Sequence, residues 1–99
     1  MSIKPIIYAS TDVDVQIAID SGLLLSDIVD MEVVLKSETL TRTYTLLGGQ
    51  IAKVSTYLVL SIPKTSITQP GIYEVKITYT DAANKVRSLS ASRYYLEFK

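Results

Sequence analysis

The chain has 99 residues, ten basic side chains against ten acidic ones, and no cysteine, histidine or tryptophan. That length buries a core in one domain without metal or disulfide staples. The missing His and Cys exclude Ser-His and Cys-His nucleophilic catalysis and, in practice, a zinc site, while zero net charge argues against a general nucleic-acid binder held by counterion release.

Residues 3–9 form a candidate edge strand or extended arm, because Pro5 cannot donate a ladder hydrogen bond. The expected division is an arm over residues 1–10 and a sandwich domain over 11–99. In residues 13–20, Val13, Val15, Ile17 and Ile19 alternate with Asp14, Gln16, Ala18 and Asp20, the pattern of a strand with one buried face. Leu23-Leu24-Leu25 before Ser26-Asp27-Ile28 predicts a connection that dips an apolar side chain into the core, with room for one capped helical turn. Met31, Val33 and Leu35 share a face in the next strand, and Ser37-Glu38-Thr39 is a polar turn.

Leu40, Arg42, Tyr44 and Leu46 then alternate with Thr41, Thr43 and Thr45, a threonine row suited to a solvent-facing sheet surface. Gly48-Gly49 predicts a hairpin turn into a single strand within residues 51–62, with Leu58, Leu60 and Ile62 inward and Tyr57 and Val59 outward. Pro63 stops that strand, and Ile67 is the candidate plug of the loop that follows. The clearest strand is QPGIYEVKITYTD, residues 69–81, in which Tyr73, Val75, Ile77 and Tyr79 oppose Glu74, Lys76 and Thr78. Residues 86–99 change parity midway, which predicts a β-bulge or two short strands around residues 90–92. Seven candidate strands with turn signals between them define an all-β, antiparallel sandwich with no convincing helix.

Charge is unevenly spread. Residues 1–38 carry two lysines against seven acids, net −5, and residues 39–99 carry eight cations against three acids, net +5. Two readings stand open: acidic and basic strands paired across one sheet, or a dipolar subunit whose acidic side meets a neighbour's basic side. Carboxylate pairs such as Asp12 with Asp14, or Asp27 with Asp30, offer a calcium reading. The Asp/Asn/Gly-dense loop that such sites use is missing, so solvated or cross-strand-paired acids are the plainer account. Gly48-Gly49 is not a phosphate loop, since no Gly-Lys-Ser/Thr follows. No apolar stretch is long enough for a signal-peptide core or a membrane span, which gives the expectation of a protein kept where it is made.

Residues 57–89, YLVLSIPKTSITQPGIYEVKITYTDAANKVRSL, carry a recurrent order. An apolar strand leads to a Pro/Thr loop, then Pro-Gly-x-Tyr, a charged alternating strand, a Thr-Asp turn and Lys-Val-Arg-Ser-Leu. This resembles the small immunoglobulin-like β-sandwich domains of tailed-phage virion proteins, such as the N-terminal domain of lactococcal-phage baseplate upper proteins, and the fit extends over residues 13–99. Asn84 stands where that pattern has glycine, and these 99 residues do not include the long receptor-binding extension of the baseplate relatives.

The resemblance implies a non-enzymatic virion structural protein of tail, baseplate, connector or capsid. Its expected partners are other virion proteins and copies of itself, with no cofactor, metal, nucleic acid or membrane. The expected contacts are strand edges and outward tyrosines: Ile6 and Tyr8 on the arm, Tyr57, and Arg93 and Tyr95 on the last strand. The alternative is a carbohydrate-binding or adhesion module of a bacterial surface, which requires an exposed aromatic platform.

Overall fold

A computed structural model describes residues 7–17, 22–54 and 57–99, without the side chains of 89–94. The described residues form seven strands: β1 (Val13–Ile17), β2 (Ile28–Lys36), β3 (Thr41–Thr45), β4 (Ile51–Val54), β5 (Tyr57–Ile62), β6 (Gly71–Asp81) and β7 (Val86–Phe98). They make two antiparallel sheets packed as a sandwich, one ordered β1-β5-β4 and the other β3-β2-β6-β7. The protein is therefore all-β, as the alternation predicts. One 3-10 turn, Leu25–Asp27, precedes β2 and is closed by the Asp27 carboxylate, which accepts the Leu24 N–H at 3.3 Å.

Inward residues of both sheets build one core. Ile17, Ile51, Leu58, Leu60 and Ile62 face Met31, Val33, Leu35, Tyr44, Tyr73, Val75, Ile77, Tyr79 and Phe98. Two of the core tyrosines place their hydroxyls against partners on the rim. The Tyr73 hydroxyl donates to the Gln69 carbonyl at 2.8 Å, and the Tyr44 hydroxyl bonds the Ser66 hydroxyl. Tyr73 also meets Phe98 edge to face, with ring centroids 5.2 Å apart, the arrangement that aromatic quadrupoles favour. Burial of the Tyr44 ring raises its phenol pKa, against the opposing effect of the Ser66 hydrogen bond.

Two expectations about connections are corrected. Gly48-Gly49 does not join hairpin neighbours, because β3 and β4 belong to different sheets. It makes a corner between the sheets, in which Gly49 has φ +89° and its N–H donates to the Leu46 carbonyl at 3.1 Å. Side chains aim this corner: Asp30 accepts the Leu47 N–H at 3.1 Å, Thr45 accepts the Gly48 N–H at 2.9 Å, and Gln50 accepts the Thr45 N–H at 3.3 Å. Residues 51–62 are also two strands, β4 and β5, paired with each other from Ile51↔Leu60 to Val54↔Tyr57. The inward parity changes across the reversal, from Ile51 in β4 to Leu58, Leu60 and Ile62 in β5.

Other local expectations are met. β5 ends before Pro63, and Ile67 is buried under its loop. Asn84 takes φ +62° in the β6–β7 turn, a left-handed conformation that Asn tolerates. The β6–β7 register jumps from Lys76↔Arg93 to Thr78↔Ser88. Residues 89–92 thus bulge where the parity change predicts. Ile7 forms a parallel bridge with Phe98 and is flanked by hydrogen bonds from Lys99 N–H to the Ile7 carbonyl (2.8 Å) and from Ala9 N–H to the Lys99 carbonyl (2.9 Å). Within the expected arm, residues 7–10 are thus tied to the end of β7, and residues 1–6 lie outside the described part.

Candidate interaction site

The carboxylates organise loops. Asp12 accepts the Lys64 N–H at 2.8 Å, Asp14 accepts the Ser61 hydroxyl at 3.1 Å, and Asp30 accepts the N–H groups of Met31 and Leu47. Asp81 accepts the N–H groups of Ala83 and Lys85 and the Arg87 Nε–H at 2.7 Å. The Arg87 hydrogen bond, followed by the backbone donation from Lys85, holds the Asp81 carboxyl below its usual pKa. Among the described residues no group of three or more acids is placed to hold a metal ion. Lys36 lies directly opposite Glu74 in the β2–β6 register, whereas Arg87–Asp81 is the ion pair that closes within the described residues.

The interaction residues expected from the sequence divide between surfaces. Leu58, Leu60 and Ile62 face the core, so Tyr57 projects toward the outer face of the three-stranded sheet, where it is half-buried. Leu96 and Phe98 share the inward side of β7, so Tyr95 points out of the four-stranded sheet and is 56% exposed, beside Glu74. Tyr57 and Tyr95 therefore stand on opposite faces and do not form one stacking platform. Tyr8, just after the Ile7 bridge, is 59% exposed. Arg93 pairs with Lys76 along the backbone; its side chain, like the whole of Ile6, lies outside the described part.

A feature that the sequence does not announce lies beside Tyr8. A cleft of about 550 Å³ is lined by Ile7, Tyr8, Leu96 and the consecutive residues 11–16. β1 is the outer strand of its sheet, pairing with β5 from Val13↔Ile62 to Ile17↔Leu58. Successive side chains of a strand point to opposite faces. A cleft touched by both Val13 and Asp14 therefore runs along the edge of β1 and not over one face. Its floor is apolar, since Val13, Val15 and Leu96 pack against the core while staying partly exposed, and its outer rim carries Asp12 and Asp14. The far wall is built by the chain segment that leaves the β7 bridge: Ser10 N–H donates to the Ile67 carbonyl at 2.8 Å, and the Thr11 hydroxyl to the Tyr8 carbonyl at 2.5 Å.

Such an arrangement shows no hydrogen-bonded nucleophile–base pair among the described residues. It offers an open strand edge, a strip of apolar surface and a pair of carboxylates, the components with which extended polypeptide is bound. Comparison of the chain with protein-family models, with curated proteins and with solved structures finds no match.

Proposed function

We propose that the chain is a non-enzymatic, immunoglobulin-like structural module of a tailed-phage virion, working through protein–protein assembly. The observation that carries the assembly role is the cleft along the edge of β1, where exposed backbone and partly covered apolar side chains lie together. An open edge of this kind is a liability in a free monomer and an asset in a subunit.

Three further observations support the reading. The residue order of 57–89 resembles that of virion sandwich domains. The strand order supports the immunoglobulin-like assignment: β1-β5-β4 corresponds to B-E-D, and β3-β2-β6-β7 to C′-C-F-G of a sandwich whose sheets exchange strands in that sequence. The acidic first third and basic remainder suit a subunit that meets a partner through complementary charge.

Mass spectrometry of purified particles from the phage that encodes the chain tests the proposal. The expected result is the chain at a fixed stoichiometry to the other particle proteins, retained through washing at low salt. Its absence from the particles, or specific capture on a glycan array that Tyr95→Ala abolishes, would overturn it.

A further inference from the structure

We infer that the cleft along β1 is a docking slot for an extended strand of another polypeptide, one in which apolar side chains alternate with lysine or arginine. The inference rests on the assembly role proposed above and gives that role a place and a partner chemistry.

The backbone supplies the first part of the argument. β1 has strand pairing on its β5 side, and on its other side lies the cleft, not another strand of the described residues. Its five residues offer roughly 17 Å of edge at the usual rise per residue. An added strand would continue the three-stranded sheet by main-chain hydrogen bonding, the general means by which peptides augment sheets.

The side chains supply the second part. A strand laid beside β1 has its inward side chains next to Val13 and Val15, with Leu96 across the slot, and these three are half-covered in the chain alone. Its outward side chains come beside Asp12 and Asp14. Both aspartates are exposed, and each spends one oxygen, on the Lys64 N–H and on the Ser61 hydroxyl. Among the described residues the second oxygen of each has no hydrogen-bond partner, which leaves it for an incoming cation.

Among the described residues no lysine or arginine lines the slot. Like charges placed opposite each other across strands destabilise the pair, and opposite charges stabilise it. A second copy of β1 would bring aspartate against aspartate, so the edge disfavours self-pairing. An acidic strand is disfavoured in the same way, and an apolar–basic strand fits both faces of the slot.

The test is an NMR titration of the full chain with two probes, acetyl-(Lys-Val)3-amide and acetyl-(Glu-Val)3-amide, at low and high salt. The basic peptide is expected to shift the amides of residues 12–17 together with those of Ile7, Tyr8 and Leu96, with binding that weakens as salt rises. Reversing the sign of two cross-strand pairs should make the acidic peptide bind about fivefold more weakly or worse. Asp14→Lys should cut binding of the basic peptide and raise that of the acidic one. Asp14→Asn, which keeps an acceptor for Ser61, should give an intermediate value if the lysine variant fails to fold.

Equal binding of the two peptides would overturn the inference, as would shifts confined to another surface. So would β1 amides already protected in the free chain and exposed by deleting residues 1–6, since the chain would then fill its own slot. Protection that grows with chain concentration would assign the slot to a second copy and overturn it too. A chain present in purified particles that ignores both peptides loses this slot and keeps its assembly role. A chain missing from the particles loses the role, whatever the peptides do.

Discussion

β6 and β1 carry the same sequence signal and meet different fates. In β6, Tyr73, Val75, Ile77 and Tyr79 alternate with polar residues and all four are buried. In β1, Val13, Val15 and Ile17 alternate just as cleanly, yet only Ile17 is buried. The cause is position in the sheet: β6 is flanked by β2 and β7, and β1 has β5 on one side and a cleft on the other. Alternation tells which way a side chain points; the number of neighbouring strands decides how much water it keeps. The two half-covered valines of β1 are therefore the physical trace of an open edge, and the proposed function is built on that trace.

Substitutions can break this contrast. The largest effect is expected in β6, where Tyr73→Ala removes a buried ring, its edge-to-face contact with Phe98 and its hydrogen bond to Gln69. A loss of about 4 kcal/mol is expected for this change from the behaviour of large aromatic deletions in cores, read from urea unfolding. Val15→Ala should cost far less, roughly 1 kcal/mol, because its site is partly open already and leaves little cavity. Equal costs at the two positions would mean that β1 is as enclosed as β6.

Two titrations sharpen the picture at the rims of the sheets. The Asp81 carboxyl titrates below its ordinary value of 3.8 because Arg87 and the Lys85 N–H favour its ionised form. Its contribution is present above that value and is lost as pH falls through the lower folded pKa. Asp81→Asn should therefore flatten the acid limb of a stability–pH profile below pH 3.8. Tyr44 titrates above its ordinary value of 10.0 because burial disfavours the phenolate. Its contribution is complete below that value and is lost as pH rises through the folded pKa, so Tyr44→Phe should flatten the alkaline limb. The smallest effect on stability belongs to Asp14→Lys, expected within about 0.5 kcal/mol of the parent as for most exposed positions, although it should weaken binding of the basic peptide and strengthen that of the acidic one.

The faces of the strands were legible residue by residue. Met31, Val33 and Leu35, then Leu58, Leu60 and Ile62, then the four apolar residues of β6 all turn inward as their spacing requires. The bulge of β7 was legible too, since three extra residues in one strand force the parity change seen between Ser88 and Tyr94. Neighbours were not legible. Gly48-Gly49 signals a reversal, but whether the chain returns to its own sheet or crosses to the other depends on acceptors from Asp30, Thr45 and Gln50. The expected number of strands agrees with the observed one only through compensation: residues 51–62 divide into β4 and β5, while the described part of residues 3–9 supplies a single bridge.

The candidate site shows the same division. Tyr57 and Tyr95 were found by asking which aromatic residues escape the inward parity: Tyr95 is exposed and Tyr57 is half-buried, while Tyr8, expected from its place on the arm, is exposed. The slot was not found, because it joins residues 7–16 to Leu96 across the side of the sandwich, and no local pattern records that proximity. The one local hint was Asp12 and Asp14 on the outward parity of a strand, since charges on an edge are a common defence against unwanted pairing.

Hydrogen exchange, measured amide by amide on the free chain and on the chain within purified particles, tests the assembly role most directly. The β1 amides that point away from β5 should exchange quickly in the free chain and become protected in the particle, with β6 protected in both. Amides of β1 that exchange equally fast in the particle, or that are already protected in the free monomer, would contradict the account.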